Sequence, residues 1–173
     1  MCEHISITFV GFVKIQFCSL GRASNVDDRN TLGGILDALV RISEDMTVIF
    51  PVHPRTRKNI EEFGQLKLIN DSNIELLPPM LYVDFLKLWK DASLVLTDSG
   101  GLQEETTALG IPCFTIRENT ERPVTIEEGT NTLLGTSGAD ILSAYEEFEN
   151  KGPKKRRVPN IGMEKQPSEY WVY

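Results

Sequence analysis

In LVLTDSGGLQEETTALGIPCF (94–114), a serine, two glycines and two adjacent carboxylates stand between apolar runs. Glycines let a phosphate approach the backbone, and a helix beginning there has N-terminal amides without intrahelical acceptors and a partial positive charge. Gly100 and Gly101 therefore suit a bound anion such as a diphosphate. Ser99 can give its hydroxyl to a phosphate oxygen or cap the helix, and the residue type by itself favours the cap. Glu105 follows Gly101 by four positions, on the same helix face, with its side chain leaning back toward the N-terminus. A carboxylate there can accept both hydroxyls of a ribose whose diphosphate lies on the turn. Glu104 points about 100° away and is read as solvent-facing.

Such a turn works only at the end of a buried strand, and the surrounding pattern supplies one. Short β-rich runs at 11–18, 47–52, 73–77, 93–97, 112–116 and, more weakly, 131–135 alternate with segments of helical period at 28–43, 55–64, 80–91, 99–109 and 137–149. That alternation predicts parallel strands joined by crossover helices, with ligands beyond the carboxyl ends of the strands. Ile35, Leu36, Leu39 and Ile42 form one apolar stripe and Leu81, Phe85, Leu86 and Trp89 another, both read as core. Pro78, Pro79 and Gly110 mark helix ends.

At 173 residues and 40% apolar content, the chain is the length of one domain. A formal net charge of -7 leaves no broad basic surface, which argues against a nucleic-acid partner. Three cysteines and two histidines are too few and too scattered for a disulfide framework or zinc site, so a reduced cytoplasmic protein is expected. The apolar start carries Lys14 and is too short to span a bilayer, so no membrane is expected. The organisation expected is an unassigned segment (1–15), a Rossmann-like domain (16–150) and a tail (151–173), for which a helix at its end remains an option. Lys154 to Arg157 read as a solvated basic run.

The motifs LTDSGGLQEE and LGIPCFTIRENTERPVTIEEGTNTLLG, with ASNVDD and PVHPRT upstream, closely resemble the C-terminal half of the non-hydrolysing UDP-N-acetylglucosamine 2-epimerases. The likeness runs from about residue 15 to the end. It implies a single Rossmann-like, mostly parallel three-layer α/β domain: the UDP-holding half of a two-domain GT-B cleft. It further implies that Ser99, Gly100 and Gly101 contact the diphosphate and Glu105 the ribose. Phe85 falls near the uracil, Arg122 (in TERP) is a pocket arginine, and Arg22 matches the arginine of a His-Arg pair. UDP or UDP-N-acetylglucosamine is the implied ligand, with no cofactor or metal. Read without the resemblance, Phe85 fits core packing equally well, Arg122 is an ion pair with Glu121, Glu127 or Glu128, and His53 supports the fold.

Two departures qualify the resemblance. Gly21 stands where the family has the histidine of that pair, which removes a charge-assisted contact worth about 1.5–3 kcal/mol. The family's reaction, elimination of UDP and re-addition with inversion at C2, draws its acid/base carboxylates largely from the N-terminal domain, and nothing here corresponds to that domain. The reading is therefore the UDP-binding half of a 2-epimerase, inactive alone, in a fragment, truncated product or separate subunit completed by an N-terminal domain or a homo-oligomer. A non-catalytic UDP-sugar module and half of a GT-B glycosyltransferase are the alternatives.

Overall fold

Strand positions follow the apolar runs, and each strand sends alternate side chains into two cores. A computed structural model describes residues 15–154. Its strands are β1 (Ile15–Ser19), β2 (Thr47–Pro51), β3 (Ile74–Leu77), β4 (Leu94–Thr97), β5 (Cys113–Thr115) and β6 (Asn131–Leu133). Every pairing is parallel, in the order β3-β2-β1-β4-β5-β6. Cys18, Val48, Phe50, Leu94 and Leu96 enter one core, and Phe17, Ile49 and Val95 the other. This is the pattern of a sheet buried on both faces.

The helices are α1 (Ala23–Val26), α2 (Arg29–Ser43), α3 (Pro54–Glu62), α4 (Leu66–Asn70), α5 (Tyr82–Trp89), α6 (Gly100–Leu109), α7 (Pro123–Glu127) and α8 (Gly138–Lys151). Ile35, Leu36, Leu39 and Ile42 of α2 pack with Ile60, Ile69, Ile141 and Tyr145 on the first face. Trp89 of α5 and Leu102 of α6 cover the second. The α2–α8 crossing is close because it is glycine on glycine: a Cβ on Gly138 would lie 2.1 Å from the Gly34 carbonyl oxygen. Gly110 ends α6 at φ 78, a left-handed conformation that glycine adopts without a Cβ penalty.

The three-layer parallel α/β expectation is met, with two differences in detail. Helices α1, α4 and α7 were not anticipated; at 4, 5 and 5 residues they are too short to show a period. Leu81 was read as core but is 78% exposed, because α5 begins one residue later and Leu81 stands before its first turn. The strand reading at 11–14 and the tail from 155 onward lie outside the described residues, whereas Lys154 is exposed and donates to the Ile126 carbonyl.

The strand order reverses between β1 and β4, whose registers run from Gln16↔Leu94 to Ser19↔Thr97. An open parallel sheet carries its ligand crevice where successive connections leave toward opposite faces. Here that point is flanked by the β1–α1 loop, with Gly21 and Arg22, and by the β4–α6 turn, with Asp98 to Gly101.

Candidate functional site at the strand switch point

Asp98 joins the two loops. Its side chain is buried, and its carboxylate accepts from the Gly21 amide (3.0 and 3.2 Å), the Arg22 amide (2.9 Å) and Asn25 Nδ2 (3.1 Å). Arg22 Nε in turn donates to the Asp98 carbonyl at 3.1 Å. Asn25, also buried, reaches the Ile116 carbonyl at 2.9 Å and so ties in the end of β5. Burial pushes the Asp98 carboxyl above the usual range, partly opposed by the hydrogen bonds from Arg22, Gly21 and Asn25. The clamp on Gly21 and Arg22 acts through backbone amides.

Helix α6 opens at Gly100, directly after this clamp. Ser99 is the N-cap by backbone geometry, but its side chain makes no capping bond; the reading of Ser99 as a cap is corrected to that extent. Thr97 Oγ1 accepts from the Ser99 amide at 3.0 Å, a bond that braces the turn but leaves the first α6 amides without a side-chain acceptor. The first amides of α6 remain available at the switch point.

The acidic pair following this turn divides as its helix period requires. Glu105 accepts from Tyr82 Oη at 3.1 Å. Partial burial raises its pKa, the Tyr82 bond opposes that shift and Glu104 adds to it. Glu104 faces solvent, its side chain 42% exposed, and pairs with Arg122 Nε at 2.7 Å. Arg122 is thus held in an ion pair, but with α6 and not with Glu127 or Glu128. Phe85 packs edge-on against Phe17, ring centroids 5.0 Å apart, so its ring belongs to the edge of the second core. His53 caps α3, its Nδ1 accepting from the Arg55 amide at 3.2 Å.

Several site residues had no local signal. Arg117 has a side chain only 4% exposed and makes a two-pronged pair with Glu121, Nη1–Oε2 2.8 Å and Nη2–Oε1 2.6 Å. Its Nη1 would lie 4.0 Å from a Cβ on Gly100, which places the guanidinium beside the first residue of α6. Arg22 Nη2 lies 3.9 Å from the same Glu121 oxygen. Hydrogen bonds from Arg117 hold the Glu121 carboxyl down at about 2, so it stays ionised. Buried Gln103 of α6 accepts from Thr120 (2.5 Å) and Asn131 (3.3 Å), tying the loop that carries Glu121 and Arg122 to the helix.

Of the seven residues singled out from the sequence, Arg22, Ser99, Gly100 and Gly101 meet at the switch point. Glu105 and Arg122 flank it on and beside α6, and Phe85 stands apart, in the second core. Gly21 is exposed, with nothing within 4 Å of where its Cβ would be. A separate open depression of about 670 Å³ at the N-terminal ends of α2 and α8 contains none of these residues. Its Glu118 and Asp140 make it unsuited to a diphosphate. The core thiols are poor nucleophiles, Cys18 being pushed up by burial and by Asp98, and Cys113 by burial to about 11. Among the described residues no acidic, histidine and cysteine cluster could hold a metal, and no helix is long and apolar enough to cross a membrane.

Known proteins resemble this chain in sequence and fold. The family model described as UDP-N-acetylglucosamine 2-epimerase matches residues 4–171. A UDP-N-acetylglucosamine 2-epimerase of Methanocaldococcus jannaschii is 44% identical over 136 residues, 77% of this chain and 37% of that protein. One from Methanococcus maripaludis is 44% identical over 138 residues, 78% of this chain and 38% of its own length. The crystal structure of the Methanocaldococcus jannaschii enzyme in complex with UDP-GlcNAc and UDP superposes with a TM-score of 0.76 at 41% identity, over 84% of this chain and 40% of that one. The chain thus spans well under half the length of these relatives, and its fold is one half of their two-domain GT-B architecture. With the family model matching residues 4–171 and relatives 44% identical over most of this chain, the chain belongs to the UDP-N-acetylglucosamine 2-epimerase family.

Proposed function

We propose that this chain is the UDP-binding half of a UDP-N-acetylglucosamine 2-epimerase. The observation that carries the proposal is the switch point itself: the uncapped Gly100–Gly101 start of α6 faces a loop whose Arg22 is fixed by Asp98. Backbone amides and a guanidinium on opposite sides of one crevice suit a diphosphate. Glu105, on the same helix, is the acceptor for the ribose hydroxyls, with Tyr82 orienting its carboxylate. Ser99, with its hydroxyl free of the cap, adds a donor to a phosphate oxygen. Arg122 borders the crevice in the grip of Glu104. Phe85, partly buried against Phe17, is the ring the resemblance would set near the uracil.

The solved complex of the Methanocaldococcus jannaschii relative with UDP-GlcNAc and UDP supports the ligand class. The reading places the protein in the cytoplasm, in keeping with the free thiols of Cys18 and Cys113. Epimerisation at C2 needs a base over that carbon and a space closed to water, which one wall of a cleft does not supply. A second domain or a second chain completes the site.

Titration calorimetry with UDP, UDP-N-acetylglucosamine and ADP tests the binding claim; equal affinity for UDP and ADP, or no binding, refutes it. Proton NMR in deuterated solvent tests the rest: the 173-residue chain alone should not exchange the C2 hydrogen of UDP-N-acetylglucosamine. A specific observation favours a second reading, a non-catalytic UDP-binding module: Gly21 has no side chain at a position open to the crevice. Continued absence of C2 exchange once the complementary domain is supplied would favour that module.

A further inference from the structure

Two guanidinium groups border the turn, and one carboxylate serves both. Arg117 is buried beside Gly100 and fully engaged by Glu121. Arg22 is half exposed and contacts Glu121 loosely, at 3.9 Å. Glu121 is itself 61% exposed, so its position comes from Arg117 and not from packing. The result is a fixed negative charge next to the arginine proposed to meet the ligand. It is permanent over the physiological pH range, because Arg117 keeps the carboxyl ionised.

We infer that Glu121 is the resident counter-charge of the diphosphate crevice, and that an incoming diphosphate binds by taking Arg22 from it while Glu121 stays on Arg117. This rests on the reading of the α6 turn as a diphosphate site. Arg22 suits the exchange, since its Nε bond to the Asp98 carbonyl anchors the side chain while Nη2 changes partner. Glu121 then sets specificity by charge. The Coulomb energy between a fixed carboxylate and a ligand scales with ligand charge, so Glu121 opposes UDP most, UMP less and uridine not at all. It also keeps Arg22 compensated when no ligand is bound.

The test is titration of wild-type chain, Glu121→Gln and Glu118→Gln with UDP, inorganic pyrophosphate and uridine at low salt. Glu118 lies in the same loop, three residues away, and its carboxylate accepts from Thr136 (3.2 Å), so its substitution makes the same change in net charge elsewhere. Glu121→Gln should tighten UDP and pyrophosphate about two- to fivefold, the range an exposed ion pair spans. Uridine should be unchanged, as should every ligand on Glu118→Gln, and the gain should shrink with added salt. In an Arg22→Gln background the gain should shrink to the part left by direct repulsion between Glu121 and the anion.

Unchanged or weaker anion binding by Glu121→Gln overturns the inference. So does an equal gain for uridine or for Glu118→Gln, or the absence of pyrophosphate binding in every variant. If pyrophosphate responds as expected while UDP binds no better than ADP, the counter-charge stands and the epimerase reading falls. Removing the partner of buried Arg117 can destabilise the fold, so Glu121→Asp is the second variant. It keeps Arg117 paired and draws the carboxylate away from Arg22, and should shift affinity in the same direction by less than twofold; weaker binding by a folded Glu121→Asp also overturns the inference.

Discussion

Replacing Gly21 by histidine should strengthen nucleotide binding without harming the fold, and the structure allows both effects to be sized. A Cβ at position 21 meets nothing within 4 Å, and the residue has no left-handed φ that a side chain would strain. Its one described structural duty, donation of its amide to Asp98, belongs to the backbone and survives substitution. Removing a glycine narrows the unfolded ensemble and stabilises by about 0.4–1 kcal/mol where the native conformation is compatible. For a domain of this size that is a rise in melting temperature of about 1–4 °C. An imidazole reaching a phosphate oxygen would add a charge-assisted hydrogen bond worth about 1.5–3 kcal/mol, or roughly tenfold to a hundredfold in affinity.

The gain should also depend on pH. Imidazolium is the stronger partner for phosphate, so the advantage over wild type should be largest near pH 6 and decline as pH rises through the histidine pKa. Calorimetric titration with UDP at pH 6 and pH 8, alongside thermal melts, reads both quantities. A stable variant with wild-type UDP affinity at both pH values would show that position 21 does not face the phosphates. A lowered melting temperature would refute the claim that the loop has room for a side chain.

Glu105→Ala should weaken UDP binding tenfold to a hundredfold, whereas Glu104→Ala, which only frees Arg122, should cost fivefold at most, both by calorimetry; equal losses would contradict the division between the two faces of α6. Gly138→Ala forces its Cβ against the Gly34 carbonyl and should destabilise by about 1–3 kcal/mol, seen as a lower denaturant midpoint with an unchanged slope. Asp98 has a folded-state pKa raised by burial, so the native protein binds its proton more tightly than the unfolded chain does. Wild-type stability relative to Asp98→Asn should therefore fall as pH rises from about 4 through that raised value, and be level above it, in denaturant titrations over pH.

What the sequence made legible was whatever is local. The glycine pair, the carboxylate four positions on and the helix stop at Gly110 lie within 11 residues, and each follows from one helix and its ends. The strands were legible because burial on both faces writes continuous apolar runs. Asp98 was visible only as part of a turn, since its partners Gly21, Arg22 and Asn25 are 77, 76 and 73 positions away. Arg117 carries no local signal, and only the fold shows it buried against Glu121. The Glu104–Arg122 pair was illegible for a related reason: helix period describes a side chain by its own helix, whereas Arg122 comes from the loop before α7. A buried polar residue at the carboxyl end of a strand, as at Asp98, is the pattern that would have flagged it, but burial of polar residues is not encoded in periodicity.

The clamp also explains why the fold does not depend on the side chain at position 21. Asp98 grips residues 21 and 22 through main-chain amides, and Asn25 ties that loop to β5 through its side chain and the Ile116 carbonyl. None of these bonds depends on what residue 21 carries, and the Gly100–Gly101 turn likewise offers backbone amides. Substitution at position 21 is therefore structurally silent: the strand order, the loop and the anion-binding turn all persist, and a superposition on the relatives stays close. Binding and catalysis part company at this point. The groups that hold a diphosphate are mostly backbone and are secured by the fold, whereas the groups that move protons and neutralise a leaving phosphate are side chains that the fold does not require. Close agreement in structure thus supports nucleotide binding by this chain far more strongly than it supports turnover, and residue 21 is where the two can be separated by experiment.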